Sequence, residues 1–193
     1  MGISGIVSCY DLQSRKRRWQ KNFAGEFRTG APVFGAATSP FAIDAGVVIH
    51  VGGAAKGALL ALRWSDGSEI WRWDSDGPAY ATPVLHTVDG TTHLVTYTQK
   101  NILAVEASTG KETWKIPFTT PYDQNIHTPL LFENDLILSG LQQGITRTRV
   151  SRTDGAWSTD HVWENKDMWT YMSSPVLVDG QIALFTDKRK GMY

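Results

Sequence analysis

The stretch that decides the fold is ALRWSDGSEIW at residues 61–71, because it returns as AVEASTGKETW at residues 104–114. Each copy has an alanine, a glycine six residues on and a tryptophan four beyond that: Ala61, Gly67 and Trp71, then Ala104, Gly110 and Trp114. Short apolar or alternating runs flank an Asp-Gly or Thr-Gly turn pair, so each copy predicts a β-hairpin whose second strand carries the tryptophan. The opening CYDLQSRKRRW, residues 9–19, is the same half-unit ending at Trp19, with Arg15 in the glycine position. A looser copy, ITRTRVSRTDGAWSTDHVW, ends at Trp163 with four extra residues after its Asp-Gly.

Between these hairpins lies a second kind. Ser39-Pro40, Thr82-Pro83, Thr128-Pro129 and Ser174-Pro175 recur with prolines 43, 46 and 46 residues apart. Each pair opens a run such as PVLHTVDGTTHLVTYT, PLLFENDLILSG or PVLVDGQIALFT, which reads as strand, acidic or Gly turn, strand. One unit is therefore two successive hairpins, four antiparallel strands in about 45 residues, and no helical periodicity interrupts them. That period predicts an all-β chain of β-propeller blades. A four-stranded sheet with two apolar faces cannot bury both alone, so the blades must stack face to face. The complete blades are expected at 40–71, 83–114 and 129–163, with half-blades at 1–19 and 175–193, about four blade equivalents in one domain spanning 1–193.

The repeated tryptophan copies resemble the eleven-residue Ala-x-Asp-x-x-x-Gly-x-x-x-Trp docking motif of the pyrroloquinoline quinone (PQQ)-type propeller repeats. The acidic position is Asp11 in the first copy, Arg63 in the second and Glu106 in the third. The resemblance implies that Ala61 and Ala104 lie on third strands, that Gly67 and Gly110 close the turns, and that Trp19, Trp71, Trp114 and Trp163 pack against the next blade. The family includes quinoprotein alcohol dehydrogenases and non-enzymatic propellers such as the outer-membrane assembly lipoprotein BamB. The fold alone does not choose between them.

Joining the two half-blades would close a four-bladed ring, but KRKGMY at the end reads as the start of its own third strand, duplicating what residues 5–7 would supply. A partial propeller is the favoured expectation, with its open edges satisfied by missing blades or by self-association. No basic leader, apolar stretch and cleavage site opens the chain, which leaves a cytoplasmic protein or a chain beginning inside a longer one. Relatives of both kinds act in the periplasm or at the outer membrane, and that location is implied by resemblance.

The 193 residues carry 19 Lys+Arg against 19 Asp+Glu, so no basic excess points to nucleic acid. No apolar run approaches the roughly 20 residues of a membrane span. The single Cys9 forbids an intramolecular disulfide and reads as a small apolar strand residue. No phosphate-binding glycine loop and no Gly-x-Ser-x-Gly is present. His50, His86, His93, His127 and His161 lack metal-pair spacing and read as surface or satisfied strand positions.

The connections from each tryptophan to the next Ser/Thr-Pro open, in a propeller, on the axial funnel. They hold Tyr80, Asp123, Gln124, Asn125, His127, Trp169 and Tyr171, oxygen ligands and aromatic faces that read either as solvated loops or as a cluster suited to a small polar ligand. Arg28, Lys188 and Arg189 would add an anion contact, while RKRR at 15–18 reads as a solvated turn. No catalytic residue is assignable. A quinoprotein dehydrogenase would need PQQ, calcium, a catalytic aspartate and often a stacking disulfide, which Cys9 alone cannot supply. The leading expectation is a non-catalytic scaffold binding a protein or small polar ligand. The alternative is part of a PQQ-dependent alcohol or sugar dehydrogenase.

Overall fold

The computed structural model describes residues 1–27, 32–186 and 191–192. Three four-stranded antiparallel sheets follow one another along the chain. The first comprises β3 (Phe41–Ile43), β4 (Gly46–Gly52), β5 (Gly57–Arg63) and β6 (Glu69–Ser75); the second β7 (Val84–Val88), β8 (Thr91–Tyr97), β9 (Asn101–Glu106) and β10 (Glu112–Pro117). The third comprises β11 (Leu130–Phe132), β12 (Asp135–Ser139), β13 (Ile145–Thr153) and β14 (Ala156–Asn165). A hairpin of β1 (Ile6–Tyr10) and β2 (Arg17–Asn22) precedes them. Strands β15 (Val176–Val178), β16 (Gln181–Ala183), β17 (Phe185–Thr186) and β18 (Gly191–Met192) follow. The chain is a partial propeller of four-stranded blades.

Alternation along the second and third strands buries both faces of each sheet. Val47, Ile49 and Val51 point back to Val7 and Trp19 of the first hairpin, whereas Val48, Leu59, Ala61 and Trp71 point forward to Leu94, Leu103 and Val105. Val95, Tyr97 and Trp114 meet Leu136, Leu138 and Val150 of the third blade, and Ile137 and Ile145 meet Leu184. Each cluster therefore sits at a sheet-to-sheet junction. Burying one such side chain contributes about 1.5–3 kcal/mol, so the junctions, more than any one sheet, hold the stack together.

The docking turn has one geometry in three copies. The glycine-position N–H donates to the carbonyl four residues back: Arg15 to Asp11 (2.8 Å), Gly67 to Arg63 (3.0 Å) and Gly110 to Glu106 (2.8 Å). The position takes a left-handed φ of 57°, 70° and 72° respectively. A Cβ on Gly67 would lie 2.8 Å from the Trp19 ring, and one on Gly110 2.5 Å from the Trp71 ring. Both indoles also donate Nε1–H to the same turns, Trp19 to Trp64 O and Trp71 to Ala107 O, each at 3.0 Å. Glycine is there because the turn needs φ above zero and the neighbouring indole leaves no room for a methyl.

The third blade departs from this pattern. Its β13–β14 hairpin is longer, closes with a two-residue Asp154-Gly155 turn at φ 51° and 83°, and leaves Gly155 with no neighbour within 4 Å. Trp157 of this hairpin turns back instead onto His93, ring centroids 4.4 Å apart and edge to face. Arg147 takes the alanine position opposite Trp163. Its guanidinium pairs with Asp135 and Glu133, both at 2.6 Å, and lies 4.7 Å over the Phe132 ring. Hydrogen bonds from Arg149 and Arg147 hold the buried Asp135 carboxyl below the usual range.

The two half-blades do not pair with each other among the described residues: β1–β2 and β15–β16 are separate sheets. Gly191–Met192 pairs with β17, where a third strand would begin, while Lys188 and Arg189 lie outside the described residues. Cys9 is half-buried against the first junction. Four histidines are buried and His161 is exposed. No helix is long and apolar enough to cross a membrane among the described residues.

Candidate functional site

The connections between blades, residues 32–40, 76–83, 118–129 and 166–175, are tied to one another at intervals of one repeat. The Thr82 N–H donates to Thr128 Oγ1 at 3.4 Å and the Thr128 N–H to Ser174 Oγ at 3.2 Å. The hydroxyls of Thr128 and Ser174, before Pro129 and Pro175, thus clasp the preceding connection, a role that the recurring Ser/Thr-Pro signal could have suggested. The Tyr80 N–H donates to Asn125 O (3.0 Å), and the Phe34 N–H donates to Tyr80 Oη (3.3 Å). Tyr171 closes the series by donating its hydroxyl to Gln124 Oε1.

The expected ligand residues separate into floor and rim. Asn125, 1% exposed, is a hub: its Nδ2 donates to Thr98 O (2.7 Å), Phe118 O (3.1 Å) and Gln99 O (3.3 Å), and its Oδ1 accepts from Thr120 at 3.0 Å. His127 lies with Nδ1 2.9 Å from Thr170 Oγ1 and Nε2 3.2 Å from Ile137 O. Burial lowers its pKa to about 4, so the ring is neutral at pH 7. Gln124 is buried beneath Tyr171, and Tyr80, Trp169 and Tyr171 are half-buried. Asp123 alone of the expected set is exposed, in a turn at φ 54°. Arg28 lies outside the described residues.

A second floor residue, Asp76, escaped the sequence reading. Its Oδ2 accepts from Thr98 Oγ1, from the Lys100 N–H (3.0 Å) and from Asn101 Nδ2 (3.2 Å), capping the β8–β9 turn of the next blade. Nothing in the local sequence distinguishes Asp76 from the other acidic residues of turns. The rim residues were also missed. Val33 (75% exposed), Phe34 (55%), Tyr122 (76%) and Met172 (67%) are exposed on the first, third and fourth connections, while most polar groups of the floor are engaged within the fold and Asp76 Oδ1 and Gln99 Oε1 are buried without a partner. Phe34 meets the Tyr80 ring edge to face at 5.9 Å. Exposed aromatic and methionine side chains are of the kind enriched at interface centres.

PQQ with calcium, implied by the quinoprotein side of the resemblance, requires amide and carboxylate oxygens free to meet a cation. Asn125 and Gln124 already engage their oxygens with Thr120 and Tyr171, and Asp123 stands exposed and apart from the floor. No group of three or more His, Cys, Asp or Glu side chains among the described residues is placed to hold a metal ion. The expected ligand residues therefore do not present that donor set, although Asp76 Oδ1 and Gln99 Oε1 are buried without a hydrogen-bond partner.

Residues 3–87 match the PQQ-type family model described as Outer membrane protein assembly factor BamB. Among solved structures, BamB from Moraxella catarrhalis is 19% identical with a TM-score of 0.52, over 97% of this chain and 54% of that one. The quinohemoprotein alcohol dehydrogenase from Comamonas testosteroni is 14% identical with a TM-score of 0.49, over 82% of this chain and 32% of that one. No curated protein matches the chain. The chain spans about half the length of the BamB structure it resembles. The likeness to the BamB structure shows the β-propeller fold, and the PQQ-type model matches the repeats over residues 3–87.

Proposed function

For a chain built of PQQ-like propeller repeats, we propose a non-catalytic scaffold that binds a protein partner through the row of connection tips, in the periplasm or at the outer membrane. The observation that carries this reading is the separation of rim from floor. Phe34, Tyr122 and Met172 are exposed on linked connections, while Asn125, Gln124 and His127 of the third connection are buried and engaged in the fold. Aromatic and methionine side chains bury large apolar area on association, whereas polar groups already hydrogen-bonded within the fold, as those of Asn125 and Gln124 are, offer a small polar ligand little. The periplasmic or outer-membrane setting is supported by the likeness to BamB.

Titration of the protein with PQQ and calcium, followed by calorimetry and by dye-linked alcohol oxidation, tests the reading against the dehydrogenase alternative. The expected result is neither a saturable heat nor oxidation. Saturable binding together with oxidation would overturn it.

A further inference from the structure

His86 on β7 and His93 on β8 stand in direct register. Directly opposed residues of an antiparallel pair project from the same face, with Cβ atoms about 5 Å apart. That face meets the third blade: His86 Nε2 lies 2.8 Å from Asn134 O in the β11–β12 turn, and the Trp157 ring stands edge to face on His93. Both imidazoles are buried, 3% and 0% exposed. Their partners fix their tautomers. A carbonyl oxygen only accepts, so His86 carries its proton on Nε2. The Thr113 hydroxyl donates to Ala104 O at 3.2 Å, so its oxygen is left to accept the His93 Nδ1–H at 2.8 Å. The other two nitrogens, His86 Nδ1 and His93 Nε2, are buried with no hydrogen-bond partner. Burial, reinforced by His86, lowers the His93 pKa to about 4, which leaves its Nε2 lone pair bare at pH 7.

We propose that His86 Nδ1 and His93 Nε2 form a two-histidine site for a monovalent copper ion at the junction of the second and third blades. Each ring has one N–H tied to a protein oxygen and its other nitrogen bare, the arrangement by which outer hydrogen bonds orient histidine toward a metal. Imidazole nitrogen suits late transition metals and not calcium or magnesium. Among the described residues no third His, Cys, Asp or Glu is placed to complete a larger set. Glu106, opposite His93 on β9, already engages its carboxylate with the Ser108 and Thr109 hydroxyls. Zinc(II) completes a tetrahedron from further donors, whereas copper(I) is satisfied by two imidazoles in line. One positive charge is also less costly to bury than two. Binding forms two nitrogen–copper bonds and releases no proton, because both nitrogens are bare beforehand.

The test is an anaerobic titration of the protein with copper(I) held by the chromophoric chelator ferrozine, on a Cys9→Ser background so that the single thiol does not compete. The expected result is uptake of one equivalent, at least tenfold weaker in His86→Gln and in His93→Gln and unchanged in His161→Gln, whose ring is exposed. Nitrogen-15 spectra at pH 7 check the site without touching either histidine. The metal-free protein is expected to show His86 as the Nε2–H tautomer and His93 as the Nδ1–H tautomer, and copper(I) to shift His86 Nδ1 and His93 Nε2 above all other ring nitrogens. No uptake, as when a single water bridges the two lone pairs, would overturn the proposal. So would uptake that survives both substitutions, the opposite tautomers, or stoichiometric binding of zinc(II) with none of copper(I).

Discussion

At the scale of single residues, the glycine of the docking turn carries two requirements that substitution separates. Gly110 has φ 72° and a Trp71 ring against its face, whereas Gly90 has φ 73° and nothing within 4 Å. Gly110→Ala should therefore cost about 2–4 kcal/mol, strain plus clash, and Gly90→Ala only about 1 kcal/mol, strain alone. Urea denaturation of both variants reads the difference; equal costs would mean that Trp71 does not pack as described. The buried histidines give a pH dependence of definite sign. His50 and His127 titrate at about 4, chiefly because burial disfavours the charged ring. Above pH 6.5 the ring is neutral in both folded and unfolded chains. Below it the unfolded chain takes up protons that the folded one refuses until about pH 4, so stability falls as pH drops through that window. Each fully buried ring contributes roughly 3 kcal/mol to the loss. Unfolding free energies at pH 7.5 and 4.5 check this, and a flat profile contradicts it.

At the scale of elements, the long β13–β14 hairpin replaces the glycine dock for the second blade. Trp157 on His93, with Arg152 over its ring at 5.2 Å, closes the junction in which Trp114 and Val150 lie. Trp157→Ala should cost about 2 kcal/mol and increase hydrogen exchange in β10 and β14 before other strands. Exchange that rises first in β4 and β5 would place the weak junction elsewhere. The repeat was legible in the sequence because turn glycine, tryptophan and Ser/Thr-Pro are local signals at fixed offsets, each imposed by backbone geometry. Substitution of this dock was not legible, since the extra residues of the hairpin reveal their packing only against His93 of another blade. The connections were read with the same limit. For Asn125 and His127 the sequence leaves both a solvated-loop and a ligand reading open, because polarity is a sequence property. Their burial depends on Thr98, Phe118 and Thr170, which lie 27, 7 and 43 residues away.

At the scale of the whole molecule, a stack of sheets joined by two glycine docking turns and by the long β13–β14 hairpin presents two kinds of surface. The stacking faces are apolar and repeat, so they assemble blades. The connection tips do not repeat, which makes them the place where one propeller differs from another in what it recognises. Placing the photoreactive residue benzoylphenylalanine at Tyr122 or Met172, and at Leu12 in the exposed β1–β2 turn as a control, tests that division in the protein's native host. The expected result is a discrete protein adduct from positions 122 and 172, lost when Phe34→Ala is added, and none from position 12. An adduct from position 12 with none from 122 or 172 would contradict the assignment of the tips as the binding surface.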